Sequence, residues 1–147
     1  MSEKMKGIFY NLGLHDASML RSEAANLTGT EIIRREMSVP NFDPQKDYSA
    51  WPVGAPVIDE DQVWVLIQPH NAAHYAGRPS TLRALWGLCH TKDPDKAKPW
   101  VDPYGTSGLY KKDECYKDAD GAVWRCLAEQ TNYKANEYPA HWEEVAE

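Results

Sequence analysis

The sequence predicts a mainly β protein with an α-helical N-terminal segment, followed by two tandem small antiparallel β-domains. Three observations lead there. After Pro40 the apolar runs are short and rich in Val, Trp and Leu, the composition of half-buried strands. Val63-Trp64-Val65-Leu66-Ile67 and Val123-Trp124-Arg125-Cys126-Leu127 are the strongest strand candidates, and Asp120-Gly121 beside the second gives a hairpin signal. Finally, the chain repeats itself at a near-constant offset.

The N-terminal segment, residues 1–41, reads as helical. Asp16 is the expected N-cap of a helix running to about Asn26, with Met19, Leu20, Ala24 and Leu27 as its apolar stripe. Thr28-Gly29-Thr30-Glu31 has the spacing of a capping box, Thr at the N-cap and Glu three residues on. Ile32, Ile33 and Met37 are then expected to face inward, and Pro40 stops the helix, since the residue before a proline favours extended backbone. Met19, Leu20, Ile32 and Ile33 call for a covering surface, either another chain or the first β-domain.

The repeat relates residues 42–90 to residues 100–147, with cores of roughly 42–89 and 100–145. Asp43-Pro44 matches Asp102-Pro103, Trp51 matches Tyr110 and Val57 matches Tyr116, all at an offset of 59. Trp64 matches Trp124 and Pro79 matches Pro139 at 60, which places one inserted residue in the second hairpin turn. Trp86 matches Trp142 at 56, because the first copy carries extra residues within Ser80-Thr81-Leu82-Arg83-Ala84-Leu85. Tyr48 is an alternative to Trp51 as the counterpart of Tyr110. Residues 91–99, charged and bracketed by prolines, are expected to be a solvated linker. Units this small bury little apolar surface and are expected to lean on each other or on a partner.

Composition narrows the function classes. The net charge of −6 comes without any Lys/Arg cluster longer than two residues, which argues against nucleic acid as a partner. No run approaches the roughly 20 apolar residues of a membrane span, and no signal-peptide pattern follows the N-terminus. The expectation is synthesis in a cytoplasm without an export signal. Three cysteines, Cys89, Cys115 and Cys126, do not make a disulfide framework and fit a reducing compartment.

Six Trp and eight Tyr stand against two Phe. Trp and Tyr join an apolar body to a polar tip, which suits rings that meet a partner or a sugar, although small β-cores also need large side chains. In the second copy the pattern reads Trp100, Tyr110, Tyr116, Gly121, Trp124-Arg125-Cys126, Pro139, Trp142, Val145. It resembles the small chitin-binding-type carbohydrate-binding modules attached to chitinases and cellulases. The whole arrangement, a helical start followed by two such modules, is similar to small proteins of tailed-phage and prophage tail clusters. The resemblance implies a compact fold of a few antiparallel strands with a sugar-facing aromatic strip. It further implies location in a virion tail, with other tail or fibre proteins and a host polysaccharide as partners. Self-association stays open.

Two departures touch the first turn of each copy. The family has Gly-Asp three residues after its first aromatic, where the second copy has Asp113-Glu114 and the first has Gly54-Ala55-Pro56. The candidate ligand-binding rings are Trp100, Tyr104, Tyr110 and Tyr138, with Tyr133 beside them. Trp124 and Trp142 fall where the pattern places core rings. The first copy is expected to bind less well, because of its altered turn and its longer 80–85 segment.

Metal and catalytic readings are weaker. His70 and His74 have i, i+4 spacing and Cys89-His90 follows, a conceivable zinc set. Pro69, Gly77 and Pro79 oppose the helix that would align them, so loop histidines, and no metal or cofactor, are expected. No nucleophile elbow, phosphate loop or zinc-protease motif occurs. Asp59-Glu60-Asp61 reads as a solvated turn rather than a carboxylate pair across a cleft. The sequence therefore points to a non-enzymatic protein. The options are a glycan-binding tail module, a structural tail or fibre component held by protein contacts alone, or an assembly chaperone.

Overall fold

The structure, a computed structural model, describes residues 16–146. It is mainly β with helix at the start. Helix α1 covers 16–23 and continues as a 3-10 turn, Ala24–Asn26. Helix α2, Gly29–Arg34, starts from the expected capping box: Thr28 Oγ1 accepts from the Glu31 N–H, and Glu31 Oε1 accepts from the Thr28 N–H. A second 3-10 turn, Glu36–Ser38, leads to Pro40. Asp16 already lies inside α1, so it is not the N-cap. The portion of the expected helical segment before residue 16 lies outside the described residues.

Leu20, Ala24, Ile32 and Ile33 are buried in one cluster with Val39, Val63 and Cys89. The covering surface is thus the first sheet of the same chain. Two of the expected inward residues face out. Met37 is 96% exposed because α2 ends at Arg34, and the following 3-10 turn breaks the 3.6-residue periodicity that would have carried it inward. Met19 is exposed because the inward stripe runs through Leu20 and Ala24, one position around the helix.

The first sheet is a meander of β1 (Pro56–Asp59), β2 (Gln62–Leu66) and β3 (Trp86–Leu88). Glu60 and Asp61 join β1 to β2 with φ of 52° and 61°, so both central residues are left-handed, as a two-residue hairpin turn matched to strand twist demands. The second sheet contains β4 (Lys98–Pro99), β6 (Cys115–Lys117), β7 (Val123–Cys126) and β9 (Trp142–Glu144) in the order β4-β6-β7-β9. A short ladder of β5 (Tyr110–Lys111) and β8 (Gln130–Thr131) stands beside it.

The two sheets share order and register. Val57 pairs with Trp64 and Leu66 with Trp86; in the second, Tyr116 pairs with Trp124 and Cys126 with Trp142. The second hairpin is closed by Asp118 N–H to Ala122 O, with three residues between, against two in the first. The extra residue therefore falls where the change of offset placed it.

The ring in the position of Tyr110 is Tyr48, not Trp51. Tyr48 stacks on Phe42 at 11° and meets Trp86 edge-on, while Tyr110 stacks on Trp100 at 12° and meets Trp142 at 69°. Trp51 instead follows the backbone offset into the turn before β1, where Arg21 lies 4.4 Å over its ring.

Residues 91–99, expected as a solvated linker, are built into the packing. Thr91 is buried and bridges Cys115, and Lys98–Pro99 forms β4, paired in parallel with β6. Extended backbone ahead of Trp100 lets this segment serve as a sheet edge. The three cysteines are free and buried.

Candidate binding cleft

A cleft of about 600 Å³ opens at one end of the second sheet. Trp100 and Trp124 line it, with Asp118 and Asp120 from the hairpin turn and Lys134 and Asn136 from the loop after β8. Each wall is fixed by local chemistry. Trp124 sits on the core-facing side of β7 but at the sheet end, so its ring is only partly buried. Its Nε1–H donates to Asp118 Oδ2 at 2.9 Å. Asp118 Oδ1 accepts from the backbone N–H groups of Asp120 and Ala122, which folds the turn around the carboxylate. These donors, the Trp124 indole first, hold the Asp118 carboxyl below its ordinary range, so it is a fixed negative charge. On the opposite wall Trp100 donates its Nε1–H to Asp102 Oδ1 at 2.7 Å and rests its ring on Tyr110 at 4.6 Å. Lys134 Nζ stands 6.0 Å from the Trp100 ring centre. Chemically, the arrangement offers two indole surfaces with hydrogen-bonding and charged groups between them.

The four expected ligand rings do not form a row. Only Trp100 lines the cleft. Tyr110 is 1% exposed and cannot present a face to a ligand. His90, reaching over from the first half, stacks on it at 3.7 Å, and burial pushes its phenol pKa upward. Tyr104 is 68% exposed but belongs to a separate groove beside Tyr75 and the 80–85 segment. Tyr138 is exposed and stacks on His141 at 3.9 Å and Tyr133 at 6.1 Å, making a small aromatic cluster that does not line the cleft. Trp142 is buried as expected, whereas Trp124, expected as core, is half core and half cleft wall. The available signal for Trp124 was its place directly after a hairpin turn that contains two aspartates.

The histidines and Cys89 are dispersed. His70 packs edge-on against Tyr75 and Trp86, its Nδ1 2.7 Å from the Gln68 carbonyl. His74 is exposed, and His90 donates Nε2–H to the Gly108 carbonyl at 2.8 Å. Cys89 is buried in the helix-facing cluster. No group of three or more His, Cys, Asp or Glu placed to hold a metal occurs among the described residues. No helix among them is long and apolar enough to cross a membrane. Asp59 is taken up by Arg78 in a two-pronged ion pair, at 2.8 and 2.9 Å. No family model and no curated protein matches the chain.

Proposed function

We propose that the protein is a non-enzymatic, tail-associated virion protein that holds a host-surface or cell-wall glycan in the cleft between Trp100 and Trp124. The observation that carries the glycan reading is the cleft itself, with two partly exposed indoles flanking carboxylate, ammonium and amide groups. Pyranose rings stack their C–H faces on such indoles, and their hydroxyls need polar partners of that kind. A binding role, rather than catalysis, is supported by how the carboxylates are used: Asp118 is committed to its turn and Asp59 to Arg78. The virion setting rests on the resemblance to phage tail-cluster proteins.

Retention on insoluble chitin and on purified bacterial cell wall tests this reading. Wild type should be retained, and Trp124→Ala or Trp100→Ala should lower retention at least about tenfold, the effect of roughly 1.4 kcal/mol. Tyr110→Ala should disturb folding instead, because its ring is core. A second reading, a structural tail component, draws on a different observation: Met37, Tyr104, Tyr133 and Tyr138 are exposed away from the cleft and suit protein contacts. Failure of wild type to bind any polysaccharide, with stable incorporation into tails, would leave that reading alone.

A further inference from the structure

We infer that the glycan held in this cleft carries free, protonated amines. The inference rests on the glycan reading above and adds the charge of the ligand. It comes from the other half of the molecule, where the matching pair holds cations, whereas Asp118 accepts only the neutral N–H donors of its turn and of Trp124.

Asp59 and Trp64 stand in the first sheet where Asp118 and Trp124 stand in the second. Each Trp pairs with the middle of the preceding strand, Val57 in one case and Tyr116 in the other, and each Asp opens the hairpin turn. In the first half both members hold a cation. Arg78 grips Asp59 with Nε and Nη2 and reaches Glu60 Oε1 at 3.0 Å. Arg83 places its guanidinium 5.1 Å from the Trp64 ring centre. These are the two strong ways of holding a guanidinium, on a carboxylate and on an indole face. Together they tie the hairpin turn to the loop that follows β2, and Trp64 is left 1% exposed.

The second half lacks both arginines. Pro79 aligns with Pro139, so Tyr138 takes the place of Arg78, and it turns away to stack on His141. The segment that supplies Arg83 is the one shortened in the second copy. Among the described residues neither Asp118 nor Asp120 forms an ion pair. The carboxylate and indole that take the two arginines in one half are, in the other, the Asp118 and Trp124 that line the cleft. Lys117 and Lys134 also line the cleft, Lys134 at the Trp100 wall. Among the described residues neither is ion-paired with Asp118 or Asp120, so the wall of Trp124, Asp118 and Asp120 carries carboxylates with no cation on them. An amino sugar with a free amine offers that wall an ammonium next to a C–H face, the combination the first half supplies from within.

The test uses the full chain and two soluble probes of equal length, an oligomer of glucosamine and its fully N-acetylated form. The pH is mildly acidic, with the amines protonated and carboxylates still ionised. Binding is read from the indole N–H of Trp124 by NMR. The free-amine oligomer is expected to bind at least about tenfold more tightly, a gap of the size one desolvated cation–π contact supplies. Salt of roughly 0.5 M should erode that gap. Asp120→Asn, a change at an exposed turn position, should remove most of it while leaving the rest of the spectrum in place. Equal affinity for the two probes overturns the charge assignment and leaves the glycan reading standing. Absence of any Trp124 response to either probe overturns the charge assignment, and overturns the glycan reading as well if the wild type is also not retained on chitin or on cell wall.

Discussion

The two halves share a strand order and a register but not an environment. In the first sheet the face opposite the aromatic core carries Ile58, Val63 and Val65, and the helices cover it with Leu20, Ile32 and Ile33. In the second sheet the matching face carries Lys117, Arg125 and Glu143, with Arg125 paired to Glu143 on the surface. One meander therefore lies between the helices and its own rings, while the other keeps a largely polar outer face that only the 91–97 segment crosses, over Cys115. The same backbone plan tolerates both because alternation along a strand lets each face be specified independently.

The largest effects should come from the layer the halves have in common. Trp86→Ala and Trp142→Ala each remove a buried ring from the matching place, and each should cost about 3–5 kcal/mol in urea unfolding. Comparable losses would mean that the two cores contribute alike. The layer they do not share gives the sharper contrast: Ile33→Ala should cost about 2–5 kcal/mol, whereas Val123→Ala, half-buried on the polar outer face, should stay near 1 kcal/mol.

The seam between the halves has its own signature. Burial lowers the pKa of His90 from 6.5 to about 4 in the fold. Between those values the unfolded chain binds a proton that the folded seam refuses. Its contribution is therefore complete above the unfolded pKa and is lost as pH falls toward 4, by up to about 3 kcal/mol. Unfolding midpoints followed from pH about 7 down to about 4 should show this slope, and His90→Gln should flatten it. An unchanged slope in the variant would remove His90 from the account.

The smallest effects test the first turns. Gly54 and Asp113 stand at matching places, with φ of 94° and 73°. A Cβ on Gly54 would come within 3.0 Å of the Ala25 backbone, a neighbour that the second half lacks. Gly54→Ala should therefore cost about 1–2 kcal/mol, while Asp113→Gly should change stability by less than about 1 kcal/mol, upward if relief of left-handed strain outweighs lost chain stiffness. Thermal melts of the pair would show whether the helix or the backbone angle makes the glycine necessary.

Much of this fold was legible. Strand positions, the capping box and the extra hairpin residue follow from spacing, since hydrophobic alternation and turn chemistry are local. What spacing could not show depended on distant chain. Tyr110 reads as an exposed ring until His90, twenty positions earlier, closes over it. Tyr48 takes Tyr110's place because ring position follows the core, while the offset follows the turn. The cleft was out of reach for the same reason: its walls, Trp100 and Lys134 on one side and Trp124 and Asp118 on the other, come from segments far apart in sequence.

The three thiols fall in three different parts of this arrangement. Cys89 lies beneath the helices, Cys115 at the seam against Thr91, and Cys126 in the second aromatic core. Burial raises the pKa of each, that of Cys89 to about 12, so none reacts as a thiolate while its surroundings stay shut. The protein thus contains a built-in set of clocks. The order in which an alkylating reagent marks the three sites records which layer opens first, with no added label to perturb the answer.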